Sequence, residues 1–119
     1  MQKISIDALA KQQLQAAVTS TSGRAADTVF GGHEKVLRQT VIAMKAGVQH
    51  SEHLNPGEAT LFVLRGCIRL VVEDASWQGK PGDLLIVPDG LYSVDAEEDS
   101  AFLFTVGKTD GGTGAYEGS

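Results

Sequence analysis

Two histidines and a glutamate lie close together near the middle of the 119-residue sequence. His50 and His53 are three residues apart, and Glu58 follows five residues after His53. Imidazole nitrogens and carboxylate oxygens are the donors that zinc and non-haem iron sites use. The stretch therefore contains the residue types of a divalent metal site. Whether they meet depends on the elements that carry them.

A turn and an apolar strand must position these side chains. The sequence Asn55-Pro56-Gly57 is typical of a turn, and an apolar strand is predicted at residues 60–64. Both alternating faces of residues 59–64 are apolar, unlike a strand with one face in water. One face is expected to fill the interior. The other needs a cover: another sheet, the N-terminal helix or a second subunit. We expect a homodimer, since two-fold dimers are the commonest oligomers.

From residue 24 onward the chain has the pattern of short strands with glycine and proline between them. Arg65 and Gly66 alone separate two of the predicted strands, which predicts a hairpin, and residues 73–80 resemble a polar connection. This spacing predicts an all-β sandwich or barrel. The predicted strands are residues 25–30, 36–45, 60–64, 67–72, 84–87, 91–96 and 101–106.

The two ends of the chain differ from this pattern. Residues 7–18 are predicted to form a short amphipathic helix with Asp7 as its N-cap. The predicted organisation is a helix and linker at residues 1–23, a barrel at 24–108 and a flexible Gly-rich tail at 109–119.

Composition excludes several classes of function. The formal net charge of −5, with Lys and Arg scattered, disfavours nucleic-acid binding. No apolar run approaches the length of a membrane span, and no secretory signal pattern is present. The single cysteine, Cys67, cannot form an internal disulfide and is expected to be a small buried hydrophobe. We therefore expect a cytoplasmic protein with no membrane or nucleic-acid partner.

Two spaced motifs resemble those of the cupins. In the first, Gly47 is followed at the family's spacing by His53-Leu54-Asn55, by Ala59 and by Gly66. In the second, Gly82 is followed by Pro88-Asp89-Gly90 and then by Ser93. The resemblance covers about residues 36–106. It implies a cupin-type double-stranded β-helix, that is, a jelly-roll barrel, with a pocket lined by both motifs.

The resemblance also implies where a metal would bind. Many cupins hold a divalent metal through two histidines, a glutamate and a second-motif histidine. The corresponding positions here are His53, Asn55, Ala59 and Ser93, of which only His53 is a good ligand. Three neighbours could substitute: His50, predicted to lie in a loop, if it turned inward, Glu58 if a bulge turned it inward, and Tyr92 if the alignment shifted by one.

Three functions remain open from the sequence. The first is a non-catalytic dimer that binds or senses a small ligand through His53, Asn55, Tyr92 and Ser93, with no cofactor. The second is a metal-dependent enzyme of the dioxygenase or isomerase type, built on His50, His53 and Glu58. The third is a structural or regulatory dimer whose barrel is filled by its own side chains, including Leu61, Val63, Leu70 and Val72.

Overall fold

The protein is a β-sandwich with one helix packed against it. The computed structural model describes residues 2–54 and 57–108, with side chains for all of these except residues 51–54. The predicted tail at 109–119 lies outside these ranges. The elements within them are α1 (Ile6–Thr19), β1 (Arg24–Phe30), β2 (Leu37–Met44), β3 (Gln49–Leu54), β4 (Gly57–Arg65), β5 (Ile68–Val72), β6 (Ala75–Gly79), β7 (Leu84–Val87), β8 (Leu91–Ala96) and β9 (Ser100–Lys108).

The strands form two antiparallel sheets that together make a rolled-up hairpin. The five-stranded sheet has the order β1-β2-β9-β4-β7, and the four-stranded sheet has the order β3-β8-β5-β6. Strand β2 pairs with β9, β3 with β8, β4 with β7 and β5 with β6. From β2 to β9, the first strand pairs with the last, the second with the second to last, and so on to the central hairpin of β5 and β6. This arrangement is the jelly roll, so the predicted fold class is confirmed.

The predicted hairpin at Arg65 and Gly66 is wrong. Strand β4 pairs with β7 and β9, whereas β5 pairs with β6 and β8, so the chain changes sheets at Gly66. The real hairpin joins β5 to β6, in the segment that the sequence pattern marked as a polar connection. Its two-residue turn is Glu73-Asp74, and Glu73 has a positive φ of 54°.

The core lies between the sheets and contains side chains from both. Alternate residues of each strand enter it, as the pleat of a strand requires. Ala59, Leu61 and Val63 on β4 are all buried, so this face of the strand is the one that fills the interior. The core cluster consists of Met44, Ala59, Leu61, Val63, Ile68, Leu70, Val87, Tyr92, Val94, Ala96, Phe102 and Val106.

Helix α1 covers part of the outer face of the five-stranded sheet. It begins one residue earlier than predicted, and its N-cap is Ser5, whose side chain accepts a hydrogen bond from the Ala8 N–H. The contact consists largely of alanines, which let helix and sheet approach closely: Ala10 and Ala17 pack with Ala43 and Ala101, and Leu64 joins them. Within the described ranges, no helix combines the length and apolar character needed to cross a bilayer.

Candidate functional site

Both sequence motifs meet at one end of the sandwich interior. Strands β2, β4 and β8 begin at this end, and β3, β7 and β9 finish there. The register pairs His53 with Tyr92 and Ala59 with Val87. The jelly-roll topology thus brings residues that are far apart in the chain next to each other. We call this region the motif end of the interior.

Tyr92, and not Ser93, faces the interior. Tyr92, Val94 and Ala96 belong to the core cluster, and side chains alternate along the regularly paired strand β8. Ser93 is buried but lies on the opposite face of the sheet, opposite Val71. The expectation that Ser93 lines the ligand pocket is therefore wrong. Tyr92, one residue earlier in the strand, takes the inward position instead.

Glu58 does not replace the glutamate of the first motif. It is exposed and shares the outer face of β4, where its carboxylate approaches Gly107. The pairing of β4 with β9 is regular from Gly57 to Val63, so no bulge turns Glu58 inward. Ala59 occupies the inward position and is buried. The first motif thus places a methyl group where the resemblance would put a carboxylate.

The histidines lie on β3 and not in the loop that the sequence predicts for His50. His50 is half-buried and pairs with Val94, whereas His53 takes the register position opposite Tyr92. A bulge in β3 lies between these two pairs. Three steps along β3, from His50 to His53, therefore match only two steps along β8, from Val94 to Tyr92. The side chain of His53 and the whole of Asn55 lie outside the described parts of the chain.

Arg38 is a site residue that the motifs did not indicate. It pairs with Val106, which in turn pairs with Ala59, and directly opposed residues share a face. Because Val106 belongs to the core, the half-buried Arg38 lies on the interior face at the motif end. The sequence did hold a signal: Arg38 lies at even spacing from Ile42 and Met44, which both pack into the core.

Tyr92 is a buried phenol held beside an aromatic ring. Its ring centroid lies 6.3 Å from that of Phe104, with the planes tilted by 44°. Burial raises the pKa of Tyr92 from 10 to about 12, although the nearby positive charge of Arg38 opposes the shift. At neutral pH the hydroxyl therefore stays protonated and can donate a hydrogen bond.

The described side chains do not fit a divalent metal. Ala59 has no donor atom, Glu58 faces outward, and a neutral phenol such as Tyr92 is a poor ligand because metals bind the deprotonated form. Arg38 adds a positive charge to the same end, which opposes a cation further. Among residues with described side chains, no three His, Cys, Asp or Glu lie close enough together to share a metal ion.

A second polar cluster lies on the outer face of the four-stranded sheet. The Glu97 carboxylate accepts hydrogen bonds from Gln78 (2.7 Å), Arg69 (2.9 Å) and the Cys67 thiol (3.2 Å). Hydrogen bonds from Gln78, and then from Arg69, lower the pKa of Glu97 to about 2. Burial, and then the hydrogen bond to Glu97, raise the pKa of Cys67, which disfavours the nucleophilic thiolate form. From the exposed turn after β8, Glu97 thus links β5 and β6 through its carboxylate.

No protein-family model matches this chain, and no curated protein matches it. Solved structures match its fold. A conserved protein of unknown function from Streptococcus pyogenes has a TM-score of 0.68 at 21% identity, over 76% of this chain and 79% of that one. A cupin superfamily protein from Desulfitobacterium hafniense has a TM-score of 0.63 at 15% identity, over 71% of this chain and 78% of that one.

The matching structures include an enzyme. A salicylate 1,2-dioxygenase from Pseudoaminobacter salicylatoxidans, in complex with gentisate, has a TM-score of 0.69 at 17% identity. The match covers 84% of this chain but only 32% of the dioxygenase. Identities this low establish the fold alone. The fold is that of a small cupin domain, as the spaced motifs predicted.

Proposed function

We propose that this protein is a non-catalytic cupin-fold module that binds or senses a small ligand at the motif end of its interior, and that it works as a homodimer. One observation carries the proposal: this end combines a half-buried Arg38, a buried neutral Tyr92 and apolar walls. A few polar groups among apolar side chains are typical of ligand sites. His53 and Asn55 remain proposed contacts, on sequence grounds.

The remainder of the interior supports a site confined to this end. Leu61, Val63 and Leu70 are almost fully buried, and Phe102 and Met44 close the opposite end. This packing favours the filled-barrel alternative for the middle of the sandwich. It leaves the motif end as the region where polar chemistry faces inward.

Metal analysis tests the non-catalytic proposal. Protein purified without chelator is expected to hold much less than one iron, manganese, nickel or zinc ion per chain. His53→Ala and the control His33→Ala, an exposed turn residue, should then have equally low metal contents. A stoichiometric metal that is lost in His53→Ala and kept in His33→Ala would support the dioxygenase or isomerase alternative and overturn our proposal.

The outer face of the five-stranded sheet supports the dimer. Helix α1 leaves uncovered an apolar patch at its β4–β7 edge, where Phe62 pairs with Leu84 and Thr60 pairs with Ile86. Leu84 is 56% exposed and Ile86 is 67% exposed. Exposed Trp77 lies near the same edge, beside a 340 Å³ cavity that Leu84 and Ile86 also line. Contiguous apolar patches of this kind mark protein interfaces.

Size-exclusion chromatography with light scattering tests the dimer. At micromolar concentration the protein should have twice the mass of the chain, and Ile86→Asp should shift it to monomer. Val36→Asp is a matched control, because Val36 is 60% exposed and lies away from the patch. A monomeric wild-type protein refutes the dimer, and a dimer that survives Ile86→Asp refutes this interface.

A further inference from the structure

Among the residues with described side chains, Arg38 has no anionic partner. Ion pairs join Arg65 to Asp7 and Arg69 to Glu97. Arg38 makes neither contact, although it is half-buried on the interior face beside buried Val106. A half-buried arginine packs its stem on apolar surface and keeps its guanidinium able to bind an anion. This placement makes Arg38 a candidate partner for an anionic ligand at the motif end.

The groups around Arg38 define what an anion would meet. The Tyr92 hydroxyl is protonated and close enough to feel the charge of Arg38. Thr40, the next inward residue of β2, pairs with Phe104, whose ring contacts Tyr92. A cation and a neutral donor are thus set against aromatic and aliphatic walls. Guanidinium groups bind carboxylates through two parallel hydrogen bonds, which makes them selective for that geometry.

We infer that the motif end selects a small carboxylate with an apolar body, the carboxylate binding Arg38 and Tyr92 and the body packing against Phe104 and Val106. This inference rests on the proposed small-ligand function and adds the chemical class of the ligand. A neutral or cationic molecule of the same shape leaves Arg38 unpaired and is bound more weakly.

Three molecules of one shape and different charge test the inference. Benzoate, benzamide and benzamidinium carry a negative, no and a positive charge on the same ring. Binding is followed by NMR, through the aromatic signals of Phe104 and Tyr92, up to about 10 mM ligand, where even weak complexes form. Benzoate is expected to bind at least about 10-fold more tightly than benzamide, as hydrogen bonds to charged groups predict. Benzamidinium should bind least.

Substitution of the arginine gives the second arm. Arg38→Gln should weaken benzoate binding about 10- to 100-fold and leave benzamide binding unchanged, and Arg38→Lys should weaken benzoate binding less. Arg24→Gln, which removes the same charge from an exposed residue at the other end of the sheet, should change nothing. NMR spectra of each variant confirm that it folds.

Each result of this experiment decides between the two proposals. Benzamide binding as tightly as benzoate, or an unchanged benzoate affinity in Arg38→Gln, overturns the carboxylate inference and leaves small-ligand binding intact. If Arg24→Gln weakens benzoate binding as much as Arg38→Gln does, the preference for benzoate is a general effect of charge, and the carboxylate inference is also overturned. If none of the three compounds shifts Phe104 or Tyr92, both the ligand class and ligand binding at this end fail.

Discussion

Gly66 offers a direct test of how the chain changes sheets. Its φ is +77°, and it joins β4 of one sheet to β5 of the other. A Cβ atom at this position would lie 2.3 Å from the Asp99 carbonyl oxygen and 2.4 Å from the Ser100 hydroxyl. That hydroxyl accepts a hydrogen bond from the buried Cys67 N–H at 3.0 Å. Gly66→Ala therefore both strains the backbone and collides with the segment that anchors the crossing.

The magnitude is the sum of two costs. An L-residue in the left-handed region loses about 1–2 kcal/mol, and forcing apart a packed contact costs a further ~1–3 kcal/mol. Gly82→Ala is the matched control, because Gly82 has a φ of +95° but no atom within 4 Å of the position that an alanine methyl group would take. The control therefore carries the backbone cost alone.

Urea unfolding measures the difference. With an m-value of about 1.5 kcal/mol/M, the unfolding midpoint of Gly66→Ala should lie about 0.7–2 M below that of Gly82→Ala. The comparison is conservative, since the φ of Gly82 lies further from the left-handed minimum than that of Gly66. Equal midpoints would refute the close approach of Gly66 to residues 99 and 100. They would instead favour the simple hairpin that the sequence suggested.

Two predictions concern pH. Because the folded pKa of Tyr92 is raised to about 12, stability should fall as pH rises from about 10 to about 12. Urea midpoints across this range should decline less steeply in Tyr92→Phe, and identical slopes would contradict the assignment. Because the folded pKa of Glu97 is lowered to about 2, its contribution is present above the ordinary carboxyl range and is lost as pH falls from about 4.5 to 2. Over this acid range the urea midpoint should decline less steeply in Glu97→Gln than in Glu98→Gln, and equal acid profiles of these two variants would count against the Glu97 network.

The local pattern of the sequence determined the class of fold. Strand predictions at residues 84–87 and 91–96 match β7 and β8 in both bounds. Alternation predicted that one face of β4 fills the interior, because a core strand buries every second side chain, and the structure shows that this is the face of Ala59, Leu61 and Val63. The spacing of the glycines and of Pro88 resembles that of the cupin motifs, and this resemblance implied the jelly-roll fold that the structure has. Strand β3 was missed because its histidines and glutamate do not resemble a core strand.

Which strands pair with each other was decided only by the tertiary structure. Arg65 and Gly66 have the sequence of a hairpin, but the competing pairings of β4 with β7 and β9 draw the chain into another sheet. The strand β6 was missed because its side chains are mostly exposed, and its position depends on pairing with β5. Such long-range choices are set by burial across the whole sandwich, which no short window of sequence contains.

The candidate site divides in the same way. The sequence by itself, through its resemblance to the cupins, predicted that His53 is the one good ligand among the four ligand positions, because residue identity needs no fold. Tertiary structure decided that Tyr92 faces inward while Ser93 and Glu58 do not, since one step along a strand reverses the face of a side chain. It also brought Arg38 to the motif end beside Tyr92, through pairings between distant strands that exist only once the hairpin has rolled.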